Sequence, residues 1–229
     1  MKSPTVKLND GRHIPQLGIG VYQIPNETLP DVIAAGVELG YRLIDGAFFY
    51  DNEQGMGEGV RKADAPREDL FVTSKVWTRD HGFDQARRAI EISLKNTGLD
   101  YLDLMLIHWP CPNKNLYVET WKALIAARED GQVKSIGVSN FNPDHLDRII
   151  DETGVAPVLN QIELHPRMQQ TTMRAENKKR GVLTQSWTPL GGGAAFDSPI
   201  IQTIAARTGK TPAQIVLRWH MQIGASAIP

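Results

Sequence analysis

Tyr41-Arg42-Leu43-Ile44-Asp45-Gly46-Ala47-Phe48-Phe49-Tyr50 decides how the chain is read. A short apolar run ends abruptly in a carboxylate, and a tyrosine follows five residues later. A strand that ends in Asp marks a core element reaching a site. The same punctuation recurs along the chain: short apolar run, polar stop, helical pattern. The candidate strands are residues 17–21, 41–44, 70–74, 102–107, 133–138, 157–162, 182–186 and 225–228. Helical periodicity fills 28–39, 83–97, 117–129, 143–153 and 171–179, four of them closed by Gly40, Gly98, Gly154 and Gly181. Glycine stops a helix because it takes the left-handed position without a steric penalty.

Strands that are apolar throughout and alternate with helices imply a parallel sheet covered on its outer face. Eight such units predict a single-domain (β/α)8 TIM barrel over residues 1–229. Ahead of them, Thr5-Val6-Lys7-Leu8, the Asn9-Asp10-Gly11 turn and His13-Ile14-Pro15 predict a β-hairpin that closes the barrel bottom. After 225–228 a further helix is expected, and the sequence stops at Pro229, so that helix and the tail are expected to be missing.

The chain has 229 residues, net charge -1, 41% hydrophobic residues and a single cysteine. The near-neutral balance with scattered cations argues against nucleic acid or a membrane surface as partner. No apolar run approaches the roughly 20 residues that span a bilayer. One cysteine allows no intrachain disulfide, so a cytoplasmic, reducing setting is expected. Cys111 has no metal-ligand partners at useful spacing and the histidines form no zinc pattern, so no metal is expected.

In such barrels the site lies at the C-terminal ends of the strands. There the sequence places Asp45, Lys75 and Trp77, His108 and Trp109, Ser139 and Asn140, Gln161, and Trp187. Any one of these has an ordinary structural explanation: Asp45 as a helix cap, Lys75 as a solvated surface residue, His108 as a hydrogen-bonded structural one. Together with Tyr50 they make a coherent acid. A free phenol titrates near 10, and an ammonium about 4 Å away at an effective dielectric of about 20 favours the phenolate by roughly 4 kcal/mol before desolvation. Lys75 is then expected to lower the pKa of Tyr50, Asp45 to hold Lys75, and His108 to orient a carbonyl. The hydride must come from a cofactor. Ser139, Asn140 and Gln161 suit a carboxamide, Trp187 a flat ring, and Gly191-Gly192-Gly193 close approach to a pyrophosphate. Tyr22, Trp77 and Trp109 suit a substrate wall. A Schiff-base lyase using Lys75 and a non-catalytic regulatory barrel that binds a nicotinamide cofactor are the alternatives.

Further motifs sharpen this: Leu8-Asn9-Asp10-Gly11, Gly40-Tyr41-Arg42-Leu43-Ile44-Asp45, His108-Trp109-Pro110, Gly137-Val138-Ser139-Asn140-Phe141, Asn160-Gln161-Ile162-Glu163-Leu164-His165-Pro166 and Trp187-Thr188-Pro189-Leu190-Gly191. Across its whole length the chain resembles the aldo-keto reductases, among them the bacterial 2,5-diketo-D-gluconic acid reductases. The resemblance implies Asp45, Tyr50, Lys75 and His108 as catalytic tetrad, with Tyr50 as proton donor to a small-molecule carbonyl substrate. It implies NADPH as cofactor, held by Gly20, Val21, Ser139, Asn140, Gln161, Trp187, Leu190, Gly191, Gly192 and Gly193. Tyr22, Ala47, Phe49, Trp77, His108 and Trp109 would meet the substrate, and a monomer is implied. Gly46 stands where the family usually has Thr, and its missing side chain is expected to widen the pocket or lower activity. The family's 2′-phosphate grip lies in a segment that follows the equivalent of Pro229.

Overall fold

The computed structural model describes residues 3–229. It opens with the expected hairpin, β1 (Thr5–Lys7) antiparallel to β2 (His13–Pro15), with Val6 opposite Ile14. Gly11 takes φ +90° in the turn, a conformation that favours glycine. The hairpin is docked by Asn9 Nδ2, which donates to Pro157 O at 2.9 Å, and by Asp10 Oδ2, which accepts from Ser135 Oγ at 2.6 Å.

Eight parallel strands follow: β3 (Ile19–Gly20), β4 (Leu43–Asp45), β5 (Phe71–Val76), β6 (Leu102–Ile107), β7 (Val133–Ser139), β8 (Leu159–Glu163), β9 (Leu183–Trp187) and β10 (Ser226–Ile228). They pair in sequence order. The last returns to the first: Gly18 N donates to Ala227 O and Gly20 N to Pro229 O, each at 2.9 Å, and Leu17 bridges Ala227 in parallel. That closes the predicted (β/α)8 barrel.

The strand interiors alternate with period two, as a pleated strand requires. Inward positions Leu43, Phe71, Leu104, Leu106, Leu159 and Ile228 pack with Ile14 and Leu8 of the hairpin. This inner cluster fills the barrel floor. A larger outer cluster lies between strands and helices, from Val21 and Ile44 through Ile90, Trp121 and Ile149. Further toward the strands' C-terminal ends the inward positions turn polar: Asp45, Lys75, Ser139 and Gln161 are all buried. They belong to the last turns of the strands themselves rather than to the loops after them.

Eight α-helices are present among the described residues: α1 (Leu29–Glu38), α2 (Glu53–Lys62), α3 (Phe83–Thr97), α4 (Tyr117–Glu129), α5 (Pro143–Thr153), α6 (Thr171–Lys179), α7 (Pro199–Thr208) and α8 (Pro212–Gln222). Four of the five expected helices match to the residue, and α1 is one residue shorter at each end. α2, α7 and α8 were not expected.

Candidate active site

Asp45 ends β4, and the chain then makes a short 3-10 turn over Phe48–Tyr50. Asp51 at φ +55° terminates that turn and sends the chain into α2. Asn52 secures the geometry, donating from Nδ2 to Val21 O at 2.9 Å and Ile24 O at 3.0 Å. This fixes the β3–α1 loop against the turn and brings Tyr22 to 4.9 Å from Tyr50, ring centre to ring centre. Next to it, Glu53 accepts from Ser74 Oγ at 2.6 Å and Asn96 Nδ2 at 2.9 Å, tying α2 to the strand that carries Lys75. Neither Asn52 nor Glu53 was anticipated. Two polar residues at a helix start read as ordinary capping, and only their long-range partners reveal their purpose.

Lys75 is completely buried. Its Nζ donates to Asp45 Oδ1 at 2.5 Å and to Gly46 O at 2.8 Å, and lies 5.2 Å from the centre of the Tyr50 ring. Burial pulls the ammonium's pKa down, but Asp45 and Tyr50 outweigh burial, and the net direction is up. A buried ammonium held charged in this way is not a nucleophile, which argues against the Schiff-base alternative. Lys75 is also absent from the cavity wall.

The expected lowering of the Tyr50 pKa is corrected by the structure. Burial pushes the phenol up, attraction from Lys75 pulls it back, and Asp45 adds to the rise, so the net direction is above the ordinary tyrosine value. The physical reason is that Asp45 offsets much of the charge of Lys75, while the phenol is buried with them. Lys75 therefore limits a rise instead of producing a fall. His108 moves the other way: burial and the neighbouring Lys75 charge bring it to about 3. It is neutral at physiological pH, so its role is that of a hydrogen-bonding imidazole.

Asp45, Tyr50 and His108 face a cavity of about 480 Å³ at the barrel mouth. Tyr22, Phe49, Tyr50, Trp77, His108 and Trp109 form one wall. Phe49 stacks on Trp77 at 3.9 Å between centroids, and Trp77 meets His108 edge-on at 5.0 Å. The lining also holds Gly20, Val21, Ser139, Asn140, Gln161, Trp187 and Leu190. Trp187 Nε1 donates to Asn140 Oδ1 at 3.0 Å, and Asn140 Nδ2 donates to His108 O and Ser139 Oγ at 3.1 and 3.0 Å. Asn140 adopts φ +63°, a region Asn tolerates better than most residues.

The cavity does not include all the expected residues. Ala47 is buried behind the wall, and Gly191, Gly192 and Gly193 lie outside the lining. The N–H groups of Gly191 and Gly193 are taken by Thr188 O and Leu190 O within a tight turn. Thr188, Pro189, Ile228 and Pro229 line the cavity and were not anticipated. Gly46 does not widen the pocket: a Cβ there would sit 2.6 Å from Met56 Sδ, so the methionine fills the space on the core side.

The sequence profile of the Aldo/keto reductase family matches residues 15–229. This chain belongs to the aldo/keto reductase family. It is 50% identical to methylglyoxal reductase DkgA of Escherichia coli over 232 residues, covering all of this chain and 84% of that protein. An aldo-keto reductase of Mycolicibacterium smegmatis is 47% identical over 227 residues, 99% of this chain and 82% of the relative. Among solved structures, an aldo/keto reductase from Brucella melitensis superposes with TM-score 0.96 at 48% identity, covering 100% of this chain and 88% of that one. A variant of Gox0644 solved in complex with NADPH gives TM-score 0.95 at 44% identity, covering 100% and 83%. The aldo/keto reductase barrel of this chain is thus an enzyme fold with its polar mouth intact. No group of His, Cys, Asp and Glu among the described residues could hold a metal, and no described helix is long and apolar enough to cross a membrane.

Proposed function

We propose that the chain is an NADPH-dependent carbonyl reductase acting on small aldehydes, keto-acids and keto-sugars such as 2,5-diketo-D-gluconate. The observation that carries this is the buried ammonium of Lys75, held by Asp45 and set beneath Tyr50 and His108 at a cavity mouth. NADPH is chosen because it occupies the Gox0644 relative and because the polar wall fits its nicotinamide end. Trp187, anchored through Asn140, offers a planar face. Ser139, Asn140 and Gln161 line the same cavity and are held in place by their own hydrogen bonds. When bound, the cofactor supplies a hydride to the carbonyl carbon.

The protein's part is proton placement. Tyr50 stays protonated at neutral pH and gives its proton to the developing alkoxide. Lys75 stabilises the phenolate left behind, which is where its charge is needed most. Neutral His108 donates to the carbonyl oxygen and fixes its direction toward the phenol. The aromatic wall of Phe49, Trp77 and Trp109 packs the rest of a small substrate. We propose that the protein works as a cytoplasmic monomer. Methylglyoxal, named for the Escherichia coli relative, is the first substrate to assay.

Tyr50→Phe is expected to abolish carbonyl-dependent NADPH oxidation while NADPH still quenches tryptophan fluorescence through Trp187. Turnover near that of the parent protein would overturn the assignment of Tyr50. The absence of NADPH oxidation by the parent chain with methylglyoxal, α-keto acids and 2,5-diketo-gluconate would favour a binding role for the barrel.

A further inference from the structure

A second polar chain runs through the barrel beneath the tetrad. Gln161 Nε2 donates to Asp45 Oδ2 at 2.8 Å and to Gln185 Oε1 at 2.7 Å. Gln185 Nε2 donates to Ser226 Oγ at 3.2 Å, and Ser226 Oγ donates to Pro15 O of the hairpin at 3.2 Å. Gln161 and Gln185 are register partners on β8 and β9, as are Gln185 and Ser226 on β9 and β10. All are buried: Gln185 and Ser226 are 0% exposed, Asp45 1% and Gln161 2%. A barrel interior is ordinarily filled with apolar side chains. Buried amides in this position are tolerated only because each finds a partner.

We infer that Gln185 is a positioning residue for the reduction, fixing the amide of Gln161 so that it caps Asp45 with N–H and turns its oxygen to the cavity. A primary amide has two N–H donors. Both N–H groups of Gln161 are engaged, one by Asp45 and one by Gln185. Its Oε1 has no protein donor among the described residues, and Gln161 lines the cavity. What Gln161 offers to a bound molecule is therefore an acceptor, which suits the NH₂ of a carboxamide and not its oxygen. One side chain thus joins the cofactor's amide to the carboxylate that holds Lys75. Asp45 and Gln185 are the two acceptors that hold this orientation of Gln161, and losing Gln185 leaves one of its two buried N–H groups unpaired. The flipped form would set oxygen against Asp45 and a donor toward the cofactor. The inference rests on the reductase reading above.

The test compares Gln185→Met, which keeps the volume and removes both of its hydrogen bonds, with Gln185→Glu, whose carboxyl group, kept protonated by burial beside Asp45, still accepts from Gln161 and can donate to Ser226. In Gln185→Met, kcat with methylglyoxal is expected to fall roughly tenfold and the Kd for NADPH, read from tryptophan quenching, to rise by about the same factor, as expected for one orphaned buried donor. Gln185→Glu is expected to recover most of both. Gln185→Met with parental kcat and Kd, whatever its melting temperature, would overturn the inference, and so would equal losses in both variants. Should Gln185→Met not fold, Ser226→Ala removes the far anchor and is expected to lower kcat and raise Kd together, while unchanged kinetics there would overturn the inference. Tyr50→Phe is assayed alongside: if it is inactive and the Gln185 variants are parental, only the positioning role fails. If Tyr50→Phe turns over normally, the reductase reading itself fails.

Discussion

Lys75 sets the electrostatics of the site. Its ammonium is surrounded by Asp45 Oδ1, the Gly46 carbonyl and the Tyr50 ring, with no solvent exposure. Removing one partner of a buried ion pair strands the other, at a cost of about 3–5 kcal/mol. Lys75→Met is therefore expected to lose about that much stability in urea denaturation, together with about a hundredfold or more in kcat, the range expected when assisted proton transfer is lost. An undiminished urea midpoint would show that Asp45 finds another counter-charge. The titrations make a separate prediction. His108 sits at about 3 and His81 at about 4, both chiefly through burial. Above about pH 6.5 they are neutral folded or unfolded, and pH has no effect through them. Below that the unfolded chain takes up the protons first, so stability falls steadily as pH drops toward about 4. His81 is 3% exposed and both ring nitrogens lack partners, so it has no compensating bond to lose. His81→Phe should flatten that acid decline in a thermal-melt series from neutral to acid pH, and a decline as steep as the parent's would remove His81 from the account. Since Tyr50 lies above the ordinary tyrosine value and His108 far below neutrality, kcat for reduction should show no inflection between about pH 5 and about pH 9 from either group.

Of the three helices that escaped the sequence reading, α2 is the one that delivers Asn52 and Glu53 to the site. Gly55, Gly57 and Gly59 count heavily against a helix on propensity, at about 1 kcal/mol each. The structure supplies the reason for them. A Cβ on Gly57 would lie 1.8 Å from Thr97 O, one on Gly55 2.3 Å from Asn26 O, and one on Gly59 2.8 Å from Ile33 Cβ. α2 is pressed against α1, α3 and the β3–α1 loop more closely than any side chain allows, and that demand is tertiary. By contrast, α3 and α5 end at Gly98 and Gly154, both left-handed, and both ends were legible. α8 carries a start signal in its sequence as well: Pro212 at the first position and reciprocal capping between Thr211 and Gln214. Gly57→Ala should gain about 1 kcal/mol of helix propensity and lose more to overpacking, for a net destabilisation of about 1–2 kcal/mol. Its kcat should fall as well, because the displaced helix start carries the clamp on Tyr22. A more stable Gly57→Ala would mean that α2 and α3 separate without cost.

At the scale of the whole molecule, the number and order of strands were legible because each is a short apolar run with its own polar stop. Which residues seal the barrel was not, since that depends on register between strands more than two hundred residues apart. The seam is narrow: Gln16 O accepts from Ala227 N, Ala227 O from Gly18 N, and Pro229 O from Gly20 N. Small residues make the approach possible, as a Cβ on Gly20 would already press on Ile228 O at 3.1 Å. Sealing also serves the site, because Ile228 and Pro229 line the cavity and Ser226 anchors Gln185. Removing residues 226–229 would leave β3 and β9 as open edges with unpaired N–H and C=O groups, and such edges template association. The shortened chain is expected to elute as soluble aggregates in gel filtration and to lose the near-ultraviolet signal of its packed tryptophans. Removing Pro229 alone takes away one seam bond and should leave a monodisperse barrel. If the chain without residues 226–229 remained monodisperse and bound NADPH with parental affinity, the cavity would be organised by β3 to β9 alone, and closure would have no part in the site.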